Sequence, residues 1–235
     1  MKKLAIWQQI YETLIKDIGS GHYPKGEKLP TEAALATRFD VNRHTIRRAL
    51  AALSNEGAIY VRQGSGAYVS QTMVNYPLNA KTRFSQNLLG TGLNSHREIL
   101  RLETIAASRV ESQALHLPEG ALVHVFEAVS IVDKAPFSYS RSIFPASRLP
   151  DMIKSLGNCA SVTKALAENG VSDYSRSWTK LTAKRAKGMV ARVLHVPEGS
   201  PILRTVGLNI DAEKRPVEYG RTWFHADRVQ LVVEG

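Results

Sequence analysis

Residues 26–69 read GEKLPTEAALATRFDVNRHTIRRALAALSNEGAIYVRQGSGAYV, and the order of signals in them decides the first part of the fold. Thr31 is placed to cap a helix over EAALATRF, Asn42 to cap another over RHTIRRALAALSNE, and Gly57 sits where a helix commonly ends. Two apolar-rich runs then flank Gln63-Gly64-Ser65-Gly66, a glycine-rich hairpin signal. Upstream, Trp7, Ile10, Leu14 and Ile18, with Tyr11 and Ile15 alongside, recur at helical spacing until GSGHYPKGEKLP breaks the pattern. Three short helices followed by a hairpin is the order of a winged helix-turn-helix.

Projected at about 100° per residue, the third helix puts Ile46, Ala49, Leu50 and Leu53 on one face. His44, Arg47 and Arg48 fall on the opposite face, and Arg43 lies in the first turn, where a recognition helix reaches base edges in the major groove. Arginine suits that task because its fork can bind O6 and N7 of guanine together. The alternative for this helix taken alone is a solvated face with cations, and the adjoining wing favours the nucleic-acid reading.

The 235 residues are 43% hydrophobic and 22% charged, a normal globular balance for one large or two ordinary domains. A net charge of +10 suggests a polyanionic partner, nucleic acid before membrane. The charge does not locate the site: residues 1–72 hold ten Lys and Arg against six Asp and Glu, and the larger excess lies downstream. Cys159 is the single cysteine, so there is no internal disulfide and no multi-cysteine metal cluster, which fits a reducing cytoplasm. The opening MKKLAIWQQIYETL has only four apolar residues before Gln8 and Gln9, too few for a secretion signal, and no stretch approaches the roughly 20 residues of a membrane span. A soluble, cytoplasmic protein is expected. No Walker loop, nucleophile elbow or dinucleotide pattern is present, and the seven histidines show no metal spacing, so neither cofactor nor metal is expected.

Residues 26–69 resemble the DNA-binding domain of the GntR family of bacterial transcription regulators along their whole length. The specific parts are Leu-Pro-Thr-Glu before the second helix, Asn-Arg-x-Thr-x-Arg at the start of the third, and Arg-Gln-Gly-x-Gly in the wing. The family usually has Ser where Asn42 stands, and capping is preserved. The resemblance implies that Arg43, His44, Thr45 and Arg47 face the major groove of double-stranded DNA and that the wing around Gly64 approaches the minor groove. Thr31, Gln63 and Ser65 complete the expected DNA-facing set, with Arg48 added from its projected direction.

Downstream the chain repeats itself. ALHLPEGALVHVFEAVSIVDKAPFSYSRSIFP at 114–145 recurs as VLHVPEGSPILRTVGLNIDAEKRPVEYGRTWFH at 193–225, with Leu115 matching Leu194, and Arg141 matching Arg221 after one inserted residue. Each copy reads as a helix end, a Pro-Glu-Gly turn, and two strands joined by a polar turn. Two copies are too few for a solenoid. They predict one mostly antiparallel sheet from two related halves, with helices near 148–156, 161–169 and 186–194 packed on it. His116 and His195 recur within the repeat and read as structural.

This arrangement is similar to the UTRA sensor domain of the HutC branch of the same family, an α/β fold related to chorismate lyase. The resemblance implies ligand contacts at Glu218, in RPVEYGRTWFHAD, and at Ser161, which opens SVTKALAENG. Branch members that bind phosphosugars carry an Arg-x-Arg pair that aligns with Ala128-x-Ser130 and a glutamate that aligns with Ser140, which argues against a phosphosugar here. VNRHTIRRAL (41–50) and YPLNAKTRFSQNLL (76–89) are similar to the branch's regulators of phosphonate utilisation. That implies a repressor of genes for phosphonate uptake and breakdown.

Thr82 and Ser85 can cap a helix beginning at SQNLL, whose unpaired N–H groups beside Arg83 and Phe84 would suit an anion; an ordinary capped linker helix is the alternative. Arg141 and Arg221 either enter a central cleft or lie on a strand surface, and Tyr139, Tyr174, Trp178 and Tyr219 either wall a pocket or fill the core. The expected effector set is therefore Thr82, Arg83, Phe84, Ser85, Ser140, Arg141, Ser161, Glu218 and Tyr219. The expected whole is an α+β chain: a winged helix-turn-helix over 1–72, a linker over 73–81, and an effector-binding and dimerisation domain over 82–235. As a homodimer it would bind a palindromic operator and respond to a small anion. One alternative keeps the regulator and changes its effector to a sugar phosphate or a urocanate-like molecule; another is a chorismate-lyase-like enzyme, opposed by the fused DNA-binding domain and the lack of an acid–base constellation.

Overall fold

The computed structural model describes residues 5–62, 64–70, 73–79 and 94–233. The chain divides into two compact units, 1–72 and 73–235.

The first unit holds helices α1 (Ile6–Gly19), α2 (Glu32–Phe39) and α3 (Arg43–Asn55), then the antiparallel hairpin of β1 (Ile59–Arg62) and β2 (Gly66–Val69). The glutamine that cuts short the N-terminal apolar run belongs to the start of α1, where the Gln8 Oε1 accepts the Ala5 N–H at 3.0 Å. Thr31 Oγ1 accepts the Ala34 N–H at 3.2 Å and Asn42 Oδ1 the His44 N–H at 2.7 Å, so each of the two helices begins with one of its orphan donors satisfied. Asp40 ends α2 in the left-handed conformation, and Gly57 adopts the positive φ that follows α3. The faces turned inward by this phasing meet in one core of Ile10, Leu14, Leu29, Leu35, Ile46, Ala49, Leu50, Leu53, Ile59 and Val69.

In the second unit the repeat is longer than its sequence similarity shows. The first copy runs β4 (Ser95–Ala106), α4 (Arg109–Leu115), β5 (Leu122–Val132) and β6 (Ala135–Pro145). Helices α5 (Met152–Cys159) and α6 (Val162–Glu168) intervene, and the second copy runs β7 (Tyr174–Arg185), α7 (Gly188–Val193), β8 (Pro201–Asp211) and β9 (Pro216–His225). The six repeat strands form one antiparallel sheet in the order β4-β5-β6-β9-β8-β7. The copies therefore meet at β6 and β9, where Arg141 pairs with Arg221. Asp133 and Lys134 both take positive φ, the backbone of a two-residue hairpin between β5 and β6.

Residues 73–81 were expected as a linker, but Val74–Pro77 form β3, which runs parallel to β10 (Val229–Val232) and belongs to the second unit. Alternation explains it: Val74 and Tyr76 are buried with Phe137, Phe224 and Val229 while Asn75 faces out. The helix expected from 148 begins at Met152, because the residue before Pro150 is kept out of helical backbone.

The two faces of the sheet carry different cores. On one, α5 and α6 pack on Phe126, Ala128, Phe144 and Val217, and β3 and β10 on Phe137 and Phe224. On the other, α4 packs on Val123, Val125, Ile143 and Tyr219, and α7 on Tyr139 and Trp223. No helix among the described residues is long and apolar enough to cross a membrane.

Asp211, at the end of β8, ties the two copies together. It is bound by Arg148, which follows β6, and by Arg215 in the β8–β9 turn. Burial pushes its carboxyl up, but the Arg215 backbone N–H and the two guanidiniums outweigh that and hold the pKa at about 2. A depressed carboxyl stabilises the fold above its unfolded pKa and loses that contribution as pH falls toward the folded value. Asp211→Asn should therefore unfold at lower denaturant than the parent at pH 7, with the gap closing between about pH 4 and pH 2; denaturant melts across that range would read it.

Candidate nucleic-acid interface and ligand site

The exposed face of α3 presents Arg43, His44, Arg47 and Arg48, with Thr45 half-buried beside them. Arg47 Nε donates to Glu32 Oε2 at 2.8 Å, with both side chains in solvent. Such a pair contributes roughly 0–1 kcal/mol, so Arg47 can exchange the carboxylate for a phosphate or a guanine edge at little cost. Arg48 is exposed on this face as projected, with its guanidinium 4.6 Å from the centre of the Trp7 ring of α1. Thr31 keeps its side chain on its capping bond.

A cleft of about 650 Å³ separates α2 and α3 from the wing, and Lys28, Thr31, Arg47, Gly64 and Ser65 line it. The structure thus brings four of the expected DNA-facing residues to one groove. Gly64 has a φ of 75°, a turn that a side chain would strain, and Ser65 Oγ shares a hydrogen bond with Tyr68 at 2.7 Å. Gln63 lies outside the described residues.

In the second unit the strand pleat sorts the expected effector residues. Adjacent residues on a strand point to opposite faces, so Ser140 and Arg141 cannot both line one site, nor can Glu218 and Tyr219. Arg141 belongs to the α4 face. It donates to Glu111 Oε1 at 2.5 Å and to Glu127 Oε1 at 3.1 Å, and Tyr139 donates to Glu127 Oε2 at 2.8 Å. Burial raises the Glu111 carboxyl, but the Ser108 backbone N–H and Arg141 bring it below its ordinary value; burial and the Glu127 bond push Tyr139 up. Tyr219 packs near Trp178 and beneath Arg221 on this same face. Arg141 and Tyr219 are thereby removed from the expected effector set, and of the four aromatics only Tyr174 packs with the opposite core.

The face covered by α5, α6 and β3 carries Glu218 and Ser140, and α6 opens on it with Ser161, whose hydroxyl accepts the Lys164 N–H. Glu218 is 9% exposed. Its carboxylate accepts from Ser142 Oγ and from Asn209 Nδ2, each at 2.6 Å. A register shift between Asn209 and Ile210 puts an extra residue in β9 beside Glu218 and turns it to this face together with Val217. Ser130, Ser138 and Thr205 are also buried here, a polar band between the apolar clusters under α5–α6 and under β3–β10. Arg97, from β4, lies within electrostatic range of Glu218, and burial holds its guanidinium below the usual arginine range. Thr82, Arg83, Phe84 and Ser85 lie outside the described residues.

Sequence reading missed Ser142, Asn209, Arg97 and Arg176. A usable signal existed: Arg97 and Arg176 stand at the same spacing as Leu115 and Leu194, and so do Ser130 and Asn209. The repeat announces itself only from Ala114, so its first strands escaped notice.

Arg141→Met would leave Glu111 and Glu127, 4% and 7% exposed, without their shared cation. Loss of one partner of a buried pair costs about 3–5 kcal/mol, a change expected in denaturant melts of the variant.

Comparison with known proteins agrees with this division. The profile of the UTRA domain matches residues 90–230, and that of the bacterial regulatory proteins of the gntR family matches residues 6–69. An uncharacterised HTH-type transcriptional regulator of Rhizobium meliloti (strain 1021) is 38% identical over 238 residues, covering 98% of this chain and 95% of the relative. The probable transcriptional regulator PhnF of Escherichia coli (strain K12) is 34% identical over 229 residues, covering 97% and 94%. Among solved structures, PhnF from Mycobacterium smegmatis matches with a TM-score of 0.68 at 20% identity, over 98% of this chain and 99% of the other, which is a likeness of fold.

Proposed function

Because the chain belongs to the GntR family of bacterial regulatory proteins and carries a UTRA domain, we propose that it is a cytoplasmic, homodimeric repressor of phosphonate uptake and breakdown genes, released from a palindromic operator by a small phosphonate- or phosphate-like anion. That it is a transcriptional regulator follows from the family. The finer reading rests on one observation: the stretches at 41–50 and 76–89, similar to phosphonate-utilisation regulators, lie in a chain related along nearly its whole length to PhnF of Escherichia coli.

In this reading two copies of α3 enter successive major grooves about one helical turn, roughly 34 Å, apart. Arg43, His44, Thr45 and Arg47 read bases, while Thr31 and the wing at Gln63, Gly64 and Ser65 hold the backbone. Effector binding lowers operator affinity only to the extent that it binds the DNA-competent arrangement less well than the released one. A second reading keeps the regulator and changes the effector to a sugar-based ligand. It is favoured by 28% identity to the mannosyl-D-glycerate system repressor MngR of Escherichia coli (strain K12), and opposed by Ala128-x-Ser130 and Ser140 in place of the charged ligand contacts of phosphosugar binders.

Arg43→Ala should weaken operator binding by about 1–3 kcal/mol and relax preference at one base pair, read by titration of wild-type and single-base-variant operators at fixed salt. Unaltered affinity and preference would remove α3 from the base-reading role. Operator release by a phosphonate but not by a sugar phosphate is the expected outcome for the effector; the reverse would favour the second reading.

A further inference from the structure

The face that carries Glu218 also holds a guanidinium that makes no ion pair among the described residues. Arg176 lies on β7, its register partner is Asn209 on β8, and Asn209 in turn pairs with Glu218 on β9. The Arg176 side chain crosses Gly207, where an added Cβ would sit 2.0 Å from its Nη1. Gly207 pairs with Gly220, where an added Cβ would meet Glu218 Oε1 at 3.4 Å. Two glycines opposed in the interior of a sheet weaken it, and they mark a place where something approaches the backbone closely. Here they let the Arg176 guanidinium and the Glu218 carboxylate lie close against the backbone of paired strands.

The hydrogen-bonding capacity of the two ends is complementary and unspent. Among the described residues, Arg176 makes no ion pair, and its Nε is buried without an acceptor. At the other end, Glu218 is held by two neutral donors, and among the described residues no cation stands at salt-bridge distance, an expensive state for a buried carboxylate. Asn209 turns its amide N–H to Glu218, which leaves Oδ1 buried with no donor. Two acceptors with lone pairs to spare therefore lie beside one another, as an ammonium with three donors requires. The other half of the repeat has Ser130 where Asn209 stands and Ser138 where Glu218 stands, so this pairing of cation and carboxylate is built once.

We propose that Arg176 is an effector-binding residue that takes the anionic group of the ligand over Gly207 and Gly220, while Glu218 and Asn209 Oδ1 take an ammonium. The effector is then a short zwitterion, a phosphonate or phosphate joined to an amine by a few carbons. This rests on the preceding reading of the second unit as an anion sensor and narrows it to a ligand class.

Calorimetry on the full-length protein tests it, with 2-aminoethylphosphonate, O-phosphoethanolamine, ethylphosphonate and inorganic phosphate as probes. The two aminated probes should bind, the tighter of them identifying phosphonate or phosphate ester as the source, and ethylphosphonate and phosphate should bind at least ten-fold more weakly. Arg176→Gln should lose ten-fold or more for the preferred probe, Arg176→Lys should recover part of it, and Glu218→Gln should abolish the preference for the amine. Gly207→Ala, which displaces the guanidinium without removing it, should match Arg176→Gln and guards against a folding defect in that variant. Equal binding by wild type, Arg176→Gln and Gly207→Ala overturns the role of Arg176 while leaving an anion-released repressor standing. Ethylphosphonate binding as tightly as its aminated counterpart overturns the ammonium site. Binding of none of the four probes by wild type, with the operator released by some other class of compound, overturns both readings.

Discussion

The second unit depends on the ladder between β6 and β9. There the two copies of the repeat become one sheet, with Ser138–Ile143 paired to Phe224–Tyr219 and Arg141 facing Arg221 at the centre. Everything about where a side chain can act follows from which side of that ladder it occupies. The α4 side is closed by ion pairs between Arg141 and two buried glutamates, and its unsatisfied buried atoms among the described residues are Ser112 Oγ and Arg204 Nε. The side covered by α5, α6 and β3 keeps buried polar atoms that no described residue satisfies, among them Ser130 Oγ, Arg176 Nε and Asn209 Oδ1. Buried polar groups are hydrogen-bonded as a rule, so the exceptions that gather around Glu218 are the ones to explain in terms of what binds there.

The first unit was legible almost entirely, because its signals are local. A cap needs only the residues within one turn, so Thr31 and Asn42 could be assigned before any tertiary contact was known. The core face of α3 followed from the helical period, and Ile46, Ala49, Leu50 and Leu53 are all buried. What projection does not give is tertiary contact: Arg48 is exposed as projected, but its guanidinium lies over Trp7, a residue on another helix.

The sheet of the second unit was legible in outline and not in its faces. Strands β5, β6, β8 and β9 announce themselves because most of their residues are buried and the Pro-Glu-Gly turns punctuate them. The edge strands β4 and β7 are mostly exposed over twelve residues each, so their sequences carry no apolar pattern to find. Assigning neighbours such as Glu218 and Tyr219 to one site ignored the two-residue period of a strand. Even that period needs the structure here, since the register shifts at Ser130/Ile131 and Asn209/Ile210 reset it beside the polar band. Similarly β3 passes for a tether because its partner, β10, lies at the far end of the chain.

Among the described residues this face holds a carboxylate and a guanidinium without ion-pair partners, which is worse for folding than apolar side chains of the same volume. The sequence could have placed an apolar residue at Asn209, between the clusters under α5–α6 and under β3–β10, with one buried polar group fewer to satisfy. It keeps two glycines and a set of half-satisfied polar groups instead. Departures from local consistency of this kind are expected where a protein binds something, since a site satisfied by its own fold has nothing left to offer a ligand. Whatever occupies that face returns the lost stability in proportion to how far its concentration exceeds its dissociation constant. In the proposed reading, it is through these same half-satisfied groups that a small molecule alters the affinity for DNA.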